Sequence, residues 1–306
     1  MNLGPRLLVG LLWLLHHLPL AWQVPIGRGF GALLHAFGRR RRHIARRNIE
    51  LCFPALTPRE RDALVREHFA LMGRSLLERG LLWYAPHERL KRLIHIEGDI
   101  GLAERSERPV MWLVPHFVGL EVAGAAMQLF QTRTGIDIYQ RQANPYFDRV
   151  LKAGRLRFGR GEAYPRSTPI RQWMRRIREG CAFFNMPDQD FGLKDGAFVP
   201  FFGVPAATLL APSKIARSLG MVVQPVIVTL LPGGQGWKVS LLPAWDDWPT
   251  EDPLADTRRL NAFIEDRIRE QPAQYLWVHR RFKTRPPGEA DVYGKTPPAG
   301  QADVRR

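Results

Sequence analysis

The stretch from Val110 to Gly124, VMWLVPHFVGLEVAG, constrains the fold more than any other part of the sequence. Its apolar residues Val110 to Val114 predict a short buried strand. Pro115 ends that strand, and the residues from Leu120 onward have helical character. The segment between them is a strand-to-helix turn at the carboxyl end of a strand, which is where open α/β sheets bind their ligands.

His116 lies in this turn, and Glu121 follows it at the start of the helix. In one straight helix a spacing of five residues is ~500° of rotation, so the two side chains would not share a face. They meet only if Glu121 reaches back from the first helical turn. Its carboxylate would then hold one ring nitrogen of His116, and the other nitrogen would accept a proton. No suitably placed Ser or Cys is evident nearby, so the pair predicts a general base acting on a substrate hydroxyl. The spacing alone also allows a purely structural histidine.

The composition indicates acidic partners. The chain has 306 residues and a net charge of +16, which favours nucleic acid, anionic lipid or an acidic protein. Nucleic acid is the weakest of these, because no recognised nucleic-acid-binding motif accompanies the basic runs. Cys52 and Cys181 lie far apart in apolar contexts and predict neither a disulfide framework nor a metal site. Strands alternating with helices predict an α/β domain, with a largely parallel central sheet flanked by helices on both faces.

The N-terminus predicts a membrane-anchoring helix. Leu7 to Val24 is an apolar run of 18 residues, near the lower limit for crossing a bilayer. The basic run Arg39 to Arg47 follows it, whereas a signal peptide carries its charge before the apolar part. Positive charge on this side predicts a cytoplasmic orientation. Residues 1–47 are therefore expected to be an anchor and basic juxtamembrane segment. A spanning helix, an interfacial helix and a buried helix all remain open.

Three further groups of residues are candidates for a site. Asp188 and Asp190 follow a predicted strand, where α/β folds place ligand contacts; a polar turn is the bland alternative, and a metal site lacks a suitably spaced partner. Phe201 and Phe202 would line an apolar groove or belong to the core. The third group consists of arginines that would bind acidic partners or form a solvated face, namely Arg155, Arg157, Arg280 and Arg281.

Five segments in order resemble one family. They are NIELCFP at 48–54, HFVGLE at 116–121, MPDQDFG at 186–192, FVPFFGVPAAT at 198–208 and YLWVHRRFKTRP at 275–286. Together they look like the late lipid A acyltransferases, the lauroyl and myristoyl enzymes of the glycerolipid acyltransferase superfamily. The resemblance extends over nearly the whole chain, from the N-terminal anchor to Pro286. It implies an acyltransferase domain at 48–286, and the Pro/Gly/charge-rich remainder, 287–306, is expected to be a flexible tail.

The resemblance also implies an activity. A lauroyl- or myristoyl-class chain would pass from acyl carrier protein to a hydroxyl of a Kdo-bearing lipid A precursor. The enzyme would sit on the cytoplasmic face of the bacterial inner membrane, in contact with anionic lipids, with the carrier's thioester as co-substrate and no other cofactor or metal. Arg141 would stabilise the oxyanion, with Asn144 sharing this work. Phe201 and Phe202 would line the groove that holds the acyl chain. Asp188 and Asp190 would bind the acceptor or brace the site, and the four arginines named above would receive the carrier protein or acceptor.

Two alternatives remain at this stage. A phospholipid-precursor acyltransferase with a lysophosphatidate-like acceptor is less favoured, because MPDQDFG stands where such enzymes usually show a Pro-Glu-Gly-type motif. A basic membrane- or nucleic-acid-binding module without enzymatic activity would leave His116 and Glu121 idle. It predicts that His116→Ala retains full function.

Overall fold

A computed structural model describes residues 3–294 of the chain. Within that range the strands are β1 (Ile94–Gly98), β2 (Val110–Leu113), β3 (Gly135–Tyr139), β4 (Gly161–Pro165), β5 (Ala182–Asn185), β6 (Gly196–Phe201), β7 (Val204–Leu209), β8 (Val222–Leu230) and β9 (Trp237–Leu241). The helices are α1 (Leu3–Leu15), α2 (Leu20–Phe37), α3 (Arg39–Cys52), α4 (Pro58–Tyr84), α5 (His87–Leu93), α6 (Leu102–Arg105), α7 (Leu120–Leu129), α8 (Pro145–Leu156), α9 (Ile170–Arg178), α10 (Ala211–Ser218) and α11 (Pro253–Glu270).

A seven-stranded sheet in the order β1-β9-β8-β2-β5-β3-β4 organises the described residues. Its neighbouring strands are parallel except for β8 and β9. Strand β2 lies near the middle and all four of its residues are buried, which explains its uninterrupted apolar sequence. Helices pack on both faces, and each face has its own apolar core. The predicted α/β fold with a largely parallel sheet is confirmed.

The segment that contains Phe201 and Phe202 is a unit of its own. Its residues form an antiparallel hairpin, β6–β7, outside the main sheet. Helix α10 begins directly after this hairpin, at Ala211. Burial alternates only over the last three residues of β6, and three consecutive residues of β7 are buried. The segment therefore lacks the clear two-residue period by which a strand is recognised in a sequence.

The N-terminal apolar run forms two helices, where one anchoring helix was predicted. Helix α1 ends at Leu15, and α2 begins after Pro19. The helical run breaks between them because proline disfavours helical backbone in the residue before it. Leu12 and Leu15 are buried in the core, whereas Leu7 and Trp13 are exposed. Among the described residues, no helix combines the length and apolarity needed to cross a bilayer. Membrane attachment therefore stays a prediction.

Helix α3 runs through the predicted boundary at residue 47. Its Asn48 amide donates to the carbonyls of Trp277 and His279 at 2.7 and 2.6 Å, which ties the NIELCFP segment to the YLWVH segment. The Tyr293 hydroxyl donates to Asn48 Oδ1 at 2.6 Å, and Tyr293 is buried. The prediction of a loose tail from residue 287 is therefore wrong for 287–294, since this buried contact fixes that part. The rest of the predicted tail, 295–306, lies outside the described residues.

Candidate active site

The register between β2 and β5 positions the two central side chains of the site. These parallel strands pair Leu113 with Asn185, and the Val114 N–H donates to the Asn185 carbonyl at 2.8 Å. His116 stands three residues beyond Leu113, and Asp188 stands three residues beyond Asn185. The two side chains therefore emerge together at the carboxyl edge of the sheet, where α/β folds bind ligands.

Asp188 holds His116 in one orientation. Its Oδ1 accepts from the imidazole Nδ1 at 2.7 Å, and its Oδ2 accepts from the His116 backbone N–H at 2.9 Å. Burial raises the pKa of this carboxyl, but attraction to the protonated form of the His116 ring and these two hydrogen bonds leave it below its ordinary value. Asp188 is thus ionised and accepts the Nδ1 proton. In the uncharged form of the ring, Nε2 is therefore the nitrogen that accepts a proton.

The predicted contact between Glu121 and His116 is wrong. The Glu121 carboxylate instead accepts from Arg155 Nε at 2.9 Å and from Arg155 Nη2 at 2.5 Å, and Arg79 lies 3.7 Å away. Burial would raise the pKa of Glu121, but these arginines lower it to about 2. The paired N–H groups of Arg155 match both carboxylate oxygens. That geometry holds the side chain on the α8 side, away from the imidazole.

Gln189 occupies the free nitrogen of the imidazole. Its amide Nε2 lies 2.9 Å from His116 Nε2, and it donates there because the ring proton is on Nδ1. The following Asp190 is buried and accepts from the Thr284 N–H at 2.6 Å, the Thr284 hydroxyl at 2.8 Å and the Gly192 N–H at 2.9 Å. Asp190 therefore anchors the loop to the segment at 283–284, and both predicted aspartates are already bound by protein donors.

A second histidine closes one side of the site. The His279 ring accepts from the Asp190 backbone N–H at 3.3 Å, and burial lowers its pKa to about 4. His279 is therefore neutral near pH 7. In the same segment the Leu276 N–H donates to the His116 carbonyl at 2.9 Å. The YLWVH segment thus fixes the backbone on which the proposed base stands.

Two cavities of different character meet at the Glu121–Arg155 ion pair, which lines both. The first has an empty volume of ≈ 700 Å³ and is mainly apolar, with walls that include Trp83, Trp112 and Phe184. The second has an empty volume of ≈ 910 Å³; it is more polar, and its lining includes Arg41, Arg79, Leu276 and His279. One cavity suits a hydrocarbon chain, and the other suits an anionic group.

Phe201 and Phe202, the residues predicted to line an acyl groove, lie apart from the apolar cavity. Phe201 is buried in the core beside Tyr275 and Phe282, and Phe202 packs against Phe53. Neither phenylalanine lines the apolar cavity. Phe201 therefore belongs to the core, as the sequence also allowed, and Phe202 packs at its edge. A groove role for these two residues stays a prediction.

The predicted arginines separate into different environments. Arg155 alone of the four lines the two cavities described above. Arg157 donates to the carbonyls of Leu82 and Ala85 at 3.1 and 2.5 Å. Arg280 pairs with Asp291 at 3.1 Å. Arg281 is 2% exposed and donates to Ala207 O at 2.9 Å and to Thr208 Oγ1 at 2.7 Å. A substrate contact predicted for Arg281 is therefore wrong, because its guanidinium is enclosed.

Arg141 and Asn144 lie beyond β3, as the sequence predicted. Arg141 is exposed and interacts with the Tyr139 hydroxyl. Asn144 caps α8, since its Oδ1 accepts from the Phe147 N–H at 3.0 Å. Their participation in oxyanion stabilisation stays a prediction.

The sequence reading missed that Asp188 is the imidazole partner and that Gln189 contacts the ring. A signal for the first exists in the sequence. Val114-Pro115-His116 and Met186-Pro187-Asp188 both place an apolar residue and a proline before the polar side chain, directly after a short apolar strand. Adjacent pairing of these two strands would bring the polar residues together. The sequence did not reveal that β2 and β5 are neighbours.

The chain can now be compared with known proteins. The family model for bacterial lipid A biosynthesis acyltransferases matches residues 4–284. The lipid A biosynthesis palmitoleoyltransferase of Escherichia coli K12 is 34% identical over 288 residues, which cover 93% of this chain and 92% of that protein. The lipid A biosynthesis lauroyltransferase of the same organism is 32% identical over 288 residues, with 93% of each chain covered. The crystal structure of the 1-acyl-sn-glycerophosphate acyltransferase PlsC from Thermotoga maritima aligns with a TM-score of 0.36 and 13% identity, covering 83% of this chain and 98% of that one.

The α/β fold and these relatives define the protein as an acyltransferase. More particularly, the chain belongs to the bacterial lipid A biosynthesis acyltransferase family. The resemblance that the five segments suggested is confirmed, and the alternative of a module without enzymatic activity is wrong.

Proposed function

We propose that this acyltransferase moves a lauroyl- or myristoyl-class chain from acyl carrier protein to a hydroxyl of a Kdo-bearing lipid A precursor, with His116 as general base. The observation that carries the proposal is the His116–Asp188 pair at the carboxyl edge of the sheet, with Nε2 left as the proton acceptor. Membership of the lipid A family supports the choice of acceptor.

In the proposed reaction, Nε2 takes the proton of the acceptor hydroxyl as its oxygen attacks the thioester carbonyl carbon. The carbon–sulfur bond then breaks, and the imidazolium returns the proton to the leaving thiolate. Asp188 supports the imidazolium that forms between these steps, since its ionised carboxylate lies 2.7 Å from Nδ1. Direct attack is favoured over a covalent enzyme intermediate, because the partners of the ring are Asp188 and Gln189 rather than a serine or cysteine.

The two cavities support a division of substrate binding. The apolar cavity would take the acyl chain, since its lining is mainly apolar and includes Trp83, Trp112 and Phe184. The polar cavity would take phosphate or carboxylate groups of the acceptor or of the carrier's prosthetic arm. Its arginines Arg41, Arg79 and Arg155 outnumber the single carboxylate, Glu121, that lines it.

The N-terminal helices support attachment to anionic lipid on the cytoplasmic face of the inner membrane. Exposed apolar side chains on α1 and α2 include Leu7, Trp13 and Trp22, which are 65%, 52% and 65% exposed. The exposed Arg39 and Arg40 follow at the start of α3. Apolar side chains beside arginines are typical of a surface that inserts among lipid headgroups, each charge contributing about 1 kcal/mol.

The testing experiment is acyl transfer in detergent micelles from lauroyl- or myristoyl-acyl carrier protein to Kdo2-lipid IVA. We expect wild type to add one acyl chain and His116→Ala to lose about 10²- to 10⁴-fold in kcat, the usual contribution of general base catalysis. His95→Ala is the matched control, because His95 is exposed on β1 and its ring lies against the Gln235 carbonyl, at 2.8 Å from Nε2.

Each outcome has a defined meaning. Activity of His116→Ala equal to that of wild type, in a folded protein, would refute the general-base mechanism. Acylation of a lysophospholipid by wild type, with none of Kdo2-lipid IVA, would refute the proposed acceptor and support the phospholipid-precursor alternative. The better of the two donors in the assay identifies the acyl class.

A further inference from the structure

The Gln189 amide stands where a substrate hydroxyl has to arrive. It donates to His116 Nε2 at 2.9 Å, and this nitrogen is the one that would accept a proton in the proposed reaction. A hydroxyl approaching the same lone pair needs the same hydrogen-bond position. The amide and the acceptor hydroxyl therefore compete for one place on the base.

The backbone around Gln189 makes this contact a feature of the fold. Asp188 on one side bonds to the His116 ring and backbone, and Asp190 on the other side bonds to Thr284 and Gly192. Both aspartates are almost fully buried, at 1% and 3% exposure. Gln189 between them is only half-buried. Its backbone is thus held beside the imidazole by both neighbours, while its side chain is partly exposed to solvent.

We propose that Gln189 caps the general base until the acceptor hydroxyl displaces it, and so protects the acyl thioester from hydrolysis. This inference rests on the proposed function, which supplies the thioester and the role of His116. Without the amide, water can bond to Nε2 and give up its proton there. Its oxygen then attacks the thioester carbonyl carbon, the carbon–sulfur bond breaks, and the thiolate takes the proton from the imidazolium. The products are the free fatty acid and the free carrier thiol.

The experiment measures two rates with lauroyl-acyl carrier protein. One is the release of free fatty acid without acceptor, and the other is transfer to Kdo2-lipid IVA. We expect Gln189→Ala to raise hydrolysis by about 3- to 10-fold, the factor that corresponds to one ordinary hydrogen bond. Gln172→Ala is the matched control, since Gln172 is exposed on α9. The double variant His116→Ala, Gln189→Ala should return hydrolysis to the level of His116→Ala alone.

Hydrolysis by Gln189→Ala at the wild-type rate would overturn the capping role. So would a rise in hydrolysis that persists in the double variant, because the water would then not be activated by His116. A rise in the KM for Kdo2-lipid IVA with unchanged hydrolysis would also overturn it, since Gln189 would then bind the acceptor instead. If wild type transfers nothing to Kdo2-lipid IVA, the proposed acceptor fails, and the acceptor-free hydrolysis ratio still decides whether Gln189 caps the base.

Discussion

Replacing Asp188 by Asn tests which carboxylate serves the imidazole. The wild-type carboxylate accepts two hydrogen bonds from His116, at 2.7 Å from Nδ1 and 2.9 Å from the backbone N–H. An amide has one oxygen, so only one of the two donors keeps a partner. If the NH₂ group faces Nδ1, the ring proton moves to Nε2 and the base is lost. If it faces the backbone, the ring keeps its tautomer but loses a charged partner.

The magnitude follows from these two contacts. A hydrogen bond to a charged group contributes about 1.5–3 kcal/mol, and a buried donor left without a partner costs about 1–3 kcal/mol. Part of the second penalty applies equally to the ground state and the transition state. A loss of about 4 kcal/mol in transition-state stabilisation is therefore reasonable, which corresponds to a fall in kcat of about 10³-fold.

The assay is the transfer of a lauroyl group at saturating donor and acceptor, with the melting temperature measured in parallel. Asp190→Asn is the matched control: Asp190 is also buried, but it bonds to Thr284 and Gly192. We expect it to lower the melting temperature and to keep kcat within about tenfold of wild type. Retention of more than a tenth of the wild-type kcat by folded Asp188→Asn would refute the reasoning.

Three further changes test other parts of the structure. Glu121→Gln should lower the urea midpoint of unfolding above pH 5. The pKa of Glu121 is depressed to about 2, so its ion pair with Arg155 stabilises the fold above about pH 4.5 and is lost as pH falls toward 2. The difference in midpoint between variant and wild type should therefore shrink from pH 5 to pH 3, and a constant difference would contradict this. Gly124→Leu should shorten the preferred acyl chain by about two to four carbons in a competition between donors. Gly124 lines the apolar cavity, and a Cβ there meets nothing within 4 Å, so the leucine side chain would fit and fill part of the cavity. An unchanged preference would mean that the acyl chain binds elsewhere. The double variant Trp13→Ser, Trp22→Ser should weaken binding to phosphatidylglycerol vesicles in a sedimentation assay by about tenfold or more. Both rings are exposed, and the substitutions would remove their apolar contact with lipid. Unchanged binding would contradict the proposed membrane surface.

Glycines at the contact between helices α2 and α4 allow these helices to pack closely, a role that the sequence alone did not reveal. A Cβ at Gly31 would stand 2.1 Å from the Phe69 carbonyl oxygen, and one at Gly73 would stand 2.3 Å from the Gly27 carbonyl oxygen. The three glycines let the two backbones touch. This contact attaches the N-terminal pair of helices to the core, whereas the sequence treated residues 1–47 as a separate anchor.

The sequence by itself determined the local features of this protein. The apolar run of β2 and the proline that ends it depend only on neighbouring residues, and both lie where predicted. The strand–helix alternation determined the α/β class for the same reason. The ordered motifs also sufficed to indicate the family, because they are spread over nearly the whole chain.

Only the tertiary structure decided which carboxylate holds His116. Glu121 is near in sequence, but the direction of its side chain depends on Arg155, which is 34 residues away and reaches it through the packing of α8 beside α7. Asp188 is 72 residues from His116, yet the pairing of β2 with β5 carries both residues to the same edge of the sheet. Sequence spacing measures distance along one element, whereas the contacts of this site are made between strands and helices that meet only when the sheet has formed.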